Sequence, residues 1–185
     1  IELILITHMH LDHYGGLPQL IWQRGLGNPD KNLTIVGPEN IENTTKKILE
    51  YYSTPEYMAR KTVFAASYPG VIISSGKHSI PDNTYKINID GKYIFYSGDT
   101  SPSEKVIEAG KNSFLFIHDA TYPDGMEAEA IKYGHSTSAG AYASFLKSSS
   151  KLFMPTHMSP ESLADIKKLN DRRVIIPKEK MTYFM

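Results

Sequence analysis

Three histidines and one aspartate occupy six consecutive positions, His8 to His13, within "THMHLDHYGG", which runs from Thr7 to Gly16. Such a cluster is costly to bury unless it binds something. Alternate residues of an extended segment point the same way, so His8 and His10 can face one point. Asp12 and His13 lie past them, where the chain turns, and can face a second. That arrangement suits two adjacent metals better than one. The chain has no cysteine, so a metal must be held by His, Asp or Glu. Imidazole and carboxylate donors without thiolate favour zinc, with manganese or iron as alternatives.

The elements that must position these side chains read as alternating strands and helices. "ELILIT" is a buried strand that ends in the cluster. "YGGLPQLIWQRGLG" is a loop entering a helix, ended by Gly25 and Gly27. "NLTIVGP" is a second strand. "PENIENTTKKILEYYS" is an amphipathic helix with Ile41, Ile48 and Leu49 inward and Lys46 and Lys47 outward. "TVFAASYPGVIISSGKHSI" holds one or two strands. "TYKINIDGKYIFYSGD" is a hairpin turning at Asp90-Gly91. A helix ("SEKVIEAG"), a strand ("SFLFIHDAT"), a helix ("STSAGAYASFLKSS"), a strand ("KLFMPTHMS"), a helix ("PESLADIKKLN") and a last strand ("RRVIIP") follow. The expectation is one α/β domain over residues 1–185. Strand after strand ends in a ligand-type residue: His8, His78, Asp99, Asp119, His157. In layered α/β proteins the loops at one end of a sheet build the site.

Composition limits the function classes. Lys+Arg and Asp+Glu balance at 20 each, so there is no global cationic field to draw nucleic acid. Helix-borne Lys46, Lys47, Arg60 and Lys61 would make at most a modest basic patch, and such residues are more often a solvated face. The absence of cysteine excludes disulfides and agrees with a cytoplasmic setting, which is the expectation. No apolar run reaches membrane-spanning length. The chain opens inside an apolar run without Met, and the expectation is that an N-terminal segment is missing.

"THMHLDHYGG" matches the His-x-His-x-Asp-His signature of the metallo-β-lactamase superfamily. "GKHSIP", "FYSGDT" and "MPTHMSP" resemble segments of its RNase Z-like branch, as do "HDAT" and "GHSTSAGAYA". The similarity runs from about Leu3 to Pro160. The resemblance implies an αββα sandwich, here without its first strands. It implies a first metal on His8, His10, His78 and Asp99, and a second on Asp12, His13, Asp99 and His157, with Asp99 bridging. Two such metals can activate a bridging hydroxide near neutral pH. The resemblance also implies catalytic roles for Asp12, which orients the nucleophile or takes its proton, and for His135, which helps the leaving group. Asp119 stands where the family usually has Glu and would pair with His135, although it is one methylene shorter. His118 is given a packing or supporting role. All seven histidines of the chain fall in these segments.

The sequence departs from the branch in one respect. Transfer-RNA 3′-processing members carry a protruding arm, in the bacterial pattern between the third histidine and the bridging aspartate. Only twenty residues separate His78 from Asp99, and they read as one tight hairpin. The leading expectation is a dinuclear metal-dependent phosphodiesterase acting on a small molecule or RNA. The alternatives are a tRNA 3′-processing endoribonuclease, an ester, lactone or β-lactam hydrolase, and a non-catalytic scaffold of the same fold. RNase Z-like proteins are commonly dimers, so a homodimer is the implied assembly.

Overall fold

A computed structural model describes residues 1–27, 30–178 and 180–183 and divides into two compact units, residues 1–69 and 70–185. The first unit runs β1 (Leu3–Leu5), α1 (Leu11–Tyr14), α2 (Gly16–Gly27), β2 (Leu33–Val36), α3 (Ile41–Tyr51), a 3-10 turn (Glu56–Met58) and β3 (Thr62–Ala65). Its three strands are parallel in the order β1-β2-β3. Parallel neighbours need crossover connections, which the intervening helices supply. Ile6, Tyr14, Leu17, Ile21, Leu33, Ile35 and Ile41 form its core.

The helix reading of α3 is correct in its inward face, with one addition. Thr45 is fully buried in the Ile41 stripe, where its hydroxyl meets Tyr14 Oη at 2.9 Å and donates to the Ile41 carbonyl at 2.6 Å. The hydroxyl is tolerated there because both bonds satisfy it. Gly25 does not end α2. It lies inside the helix, where a Cβ would approach Met58 Cα to 2.7 Å, so it serves close packing instead.

The second unit runs β4 (Val71–Ser75), β5 (Asn83–Ile89), β6 (Lys92–Tyr96), α4 (Glu104–Gly110), β7 (Leu115–Asp119), α5 (Glu127–Tyr133), α6 (Ser138–Ser148), β8 (Leu152–Thr156) and α7 (Pro160–Ile166). Its sheet has the order β4-β5-β6-β7-β8. β5 is antiparallel to β4 and β6, while β6, β7 and β8 run parallel. β4 therefore points the same way as β6, β7 and β8. The β5–β6 hairpin turns at Asp90 and Gly91, both at positive φ (50° and 81°), as the Asp-Gly pair predicts. Phe95, Phe116, Phe145 and Phe153 are fully buried in the core, with ring centroids of neighbouring pairs 4.9 to 6.4 Å apart.

Helix starts follow their caps. Ser103, Thr137 and Ser159 each accept a backbone N–H from the first turn of α4, α6 and α7. Pro155 sits in β8, an edge strand, where a missing N–H is tolerated. Two further features differ from the sequence reading. α5 was not anticipated; its short "EAEAIKY" run is polar on most sides and ends at Gly134 in the left-handed region. "RRVIIP" is not a strand. It makes a single bridge, Val174 to Phe153, and its apolar residues Val174 and Ile176 pack on the core.

Candidate metal and acid-base site

The site residues divide between the units. In the first, β1 leads into His8, which is fully buried. His8 Nδ1 lies 3.1 Å from the Thr7 hydroxyl, and its Nε2 lies 3.0 Å from His10 Nδ1. His13 then turns back in the single helical turn of α1, bringing its ring centroid within 4.1 Å of that of His8. Asp12 Oδ2 is 3.3 Å from His13 Nε2. The extended placement of His8 and His10 and the turn at Asp12 and His13 are as the spacing predicts, the turn being α1.

In the second unit the four parallel-pointing strands deliver the rest from one edge of the sheet. His78 lies three residues beyond β4, Asp99 three beyond β6, and Asp119 ends β7. His157 directly follows β8 at φ 56°, a strained left-handed value for a non-glycine residue. Such strain costs about 1 kcal/mol or more and persists where surroundings enforce it. His157 Nε2 stands 3.5 Å from Asp99 Oδ2. His135 stacks on His157 at 5.4 Å and 11°, and meets His78 edge-on at 5.1 Å.

Each imidazole in this unit has one nitrogen directed by an acceptor. His78 Nδ1–H donates to the Gly134 carbonyl at 2.8 Å. His135 Nδ1–H donates to Asp119 Oδ2 at 2.9 Å, so the shorter Asp does reach. The Thr121 hydroxyl donates to Asp119 Oδ1 and accepts from His157 Nδ1–H at 2.7 Å. In all three rings it is Nδ1 that this bond fixes, while Nε2 of His78 lies 3.4 Å from the Ser79 hydroxyl and Nε2 of His157 faces Asp99. One donor atom each from His78, Asp99 and His135 lie within 4.8 Å of one another, and so do atoms from Asp119, His135 and His157.

Asp119 is fully buried and accepts from Thr100 N–H at 3.0 Å and Thr121 N–H at 2.9 Å as well. Burial alone would push its carboxyl up. The hydrogen bonds from His135 and Thr121, with the imidazolium charge, outweigh burial and hold it below the ordinary carboxylate range. His118 faces away from this chemistry. It is fully buried, stacks on Phe116 at 5.4 Å, and donates from Nδ1 to the Asp119 carbonyl at 2.8 Å. Its burial lowers its pKa, so it packs as a neutral ring.

The sequence reading missed Thr121 and Gly134. Thr121 follows Asp119 by two residues, the spacing at which a carboxylate accepts from a nearby backbone N–H. Gly134 has φ 77°, and a Cβ there would lie 2.8 Å from His78 Nδ1. The donor set fits divalent metal: imidazole nitrogens and carboxylate oxygens, oriented by neighbours, with two nitrogens of the first unit 3.0 Å apart. Of the anticipated basic patch, Lys46 is ion-paired with Glu42 and Arg60 with Asp30, each at 2.6 Å.

Residues 1–158 match a family model described as a beta-lactamase superfamily domain. The mitochondrial Ribonuclease Z 2 of Schizosaccharomyces pombe is 30% identical over 203 residues, covering 99% of this chain and 29% of that protein. A Ribonuclease Z of Sulfurisphaera tokodaii is 28% identical over 241 residues, covering 100% of this chain and 80% of that protein. Among solved structures, the short form of human tRNase Z superposes with a TM-score of 0.77 at 22% identity, covering 98% of this chain and 78% of that one. The chain spans less than a third of the length of the first curated relatives it matches. No helix among the described residues is long and apolar enough to cross a membrane.

Proposed function

The chain belongs to the metallo-β-lactamase superfamily, in its RNase Z-like branch and with that fold, and from this we propose that it is a metal-dependent hydrolase of phosphodiesters. The observation that supports it most is the Asp119–His135 pair, at 2.9 Å, in the same unit as His78, Asp99 and His157. Such a pair serves a reaction that must protonate a poor leaving group.

The proposed ligands are His8, His10, His78 and Asp99 for one cation and Asp12, His13, Asp99 and His157 for the other. Zinc is the proposed metal, and the family match across both units supports reading residues 1–185 as one functional domain. When bound, two divalent cations supply Lewis acidity and a nucleophilic hydroxide at neutral pH. The protein's own groups then divide the work. Asp12 orients the nucleophile or accepts its proton. Asp119 fixes the His135 tautomer and stabilises its cation, so His135 Nε2–H can protonate the departing oxygen. Thr121 holds His157 and Asp119 together and keeps both oriented.

A second reading, tRNA 3′ processing, is favoured by the names of the relatives. The β5–β6 hairpin fills the connection from His78 to Asp99, where the bacterial arm would lie, which favours a smaller phosphodiester. The test is elemental analysis paired with turnover of bis-p-nitrophenyl phosphate before and after chelation. About two metals per chain with chelator-sensitive turnover is expected. Failure to take up metal on reconstitution, or turnover of a lactone or β-lactam in place of the phosphodiester, would overturn the proposal.

A further inference from the structure

The first unit holds a cavity of about 910 Å³ that the chemistry above does not use. Ligand cavities typically span about 300–1,000 Å³. Its walls are two helix faces. Pro18, Gln19 and Trp22 follow helical spacing along α2, and Thr44, Lys47, Ile48 and Tyr51 do so along α3. Met9 and Leu11, which flank His10 in the chain, also line it and make it continuous with the proposed metal-ligating segment.

We propose that this cavity binds the aromatic base of a nucleotide. Three of its rings are accessible: Tyr51 and Tyr52 are 83% and 70% exposed, and Trp22 is 37% exposed. Tyr51 and Tyr52 meet edge to face at 5.3 Å, which leaves a ring face for stacking. Every nucleobase has a π face and a hydrogen-bonding edge. The Gln19 amide and Thr44 hydroxyl offer donors and acceptors for such an edge. Lys47 also lines the cavity; Lys46 beside it is held by Glu42, whereas Lys47 makes no ion pair among the described residues. Its charge complements a phosphate. An acyl chain would leave the Gln19 amide and the Thr44 hydroxyl unused, and a second copy of the chain would have to fill a concavity. That the base belongs to the substrate rests on the phosphodiester reading; occupancy of the cavity does not.

Trp22 is the chain's only tryptophan, so its emission reports the cavity directly. The full chain, treated with chelator, is titrated with adenosine 5′-monophosphate, adenosine and ribose 5-phosphate, exciting at the red edge of the indole band. Saturable changes with the monophosphate and adenosine, and none with ribose 5-phosphate, are expected. Tyr52→Ala is expected to weaken both by about tenfold. Lys47→Gln is expected to weaken the monophosphate alone, and it serves as the second variant if circular dichroism shows Tyr52→Ala unfolded. Emission that ignores both base-bearing ligands would overturn the proposal; a response instead to decanoate or to protein concentration would assign the cavity to an acyl chain or a second copy. Base binding without phosphodiester turnover keeps this site and removes the reading above, and turnover without base binding does the reverse.

Discussion

His135 touches a carboxylate through Nδ1, and the acid role proposed for its Nε2 has a kinetic consequence. A general acid matters in proportion to how badly the leaving group needs a proton. His135→Ala should therefore lower kcat about 10²-fold or more for a dinucleotide, whose leaving alkoxide is poor. It should affect bis-p-nitrophenyl phosphate much less, because nitrophenolate departs unaided. Equal losses on both substrates would show His135 to act on something other than the leaving group. Asp119→Asn tests the same pair from the other side. The amide still accepts from Thr100 N–H or Thr121 N–H, but it no longer stabilises the imidazolium. Asp119→Asn should therefore lower kcat for the dinucleotide more than for bis-p-nitrophenyl phosphate, the same asymmetry as His135→Ala. Equal losses on both substrates would mean that Asp119 is structural only. Sequence reasoning located both residues but could not decide whether Asp, shorter than Glu, would reach. The answer depends on how β7 ends and where the chain returns after α5, which no local pattern encodes.

Elements carry side chains to one edge because four strands of the second sheet point the same way. Strand periodicity, the apolar helix stripes and the Asp-Gly turn made most of these elements legible. α5 was not, because its apolar residues lack a clear stripe. "RRVIIP" misled for the opposite reason: it is apolar and β-branched, yet it pairs at one residue only and is used to cover the core. α5 matters for the site through its end. Gly134 closes it at φ 77° and presents the carbonyl that orients His78. Gly134→Ala would strain that backbone and drive a methyl toward His78 Nδ1, at 2.8 Å, and Ser79 N, at 2.7 Å. It should lower stability by about 1 kcal/mol or more. It should also weaken zinc uptake about tenfold, the effect expected when a ligand loses its orienting partner. Zinc competition with a chromogenic chelator reads the second effect separately from melting. A melt shift with unchanged zinc affinity would confine Gly134 to helix termination.

At the scale of the whole molecule, stability should respond to pH through two buried groups of opposite sign. Asp82 is buried, close in charge to Asp99, and its Oδ2 finds no hydrogen-bond partner among the described residues. Burial, then repulsion from Asp99, pushes its pKa up to about 7. Between the ordinary carboxylate value and 7 the folded chain binds a proton that the unfolded chain has released. Stability from Asp82 is therefore present at low pH and falls as pH rises to about 7. His118 works the other way. Desolvation lowers its pKa from 6.5, so below that value the unfolded chain binds the extra proton and folding is disfavoured. The two slopes oppose each other across the mildly acidic range, which hides both in the parent protein. Single substitutions should separate them when urea unfolding of the metal-free chain is followed from pH 5 to 8. Asp82→Asn removes a group that costs most when ionised, so its stability relative to the parent should increase as pH rises. His118→Phe, stacked on Phe116 in place of the imidazole, should gain relative to the parent as pH falls. Parallel curves for either variant and the parent would mean that the group it replaces titrates alike in the folded and unfolded chains.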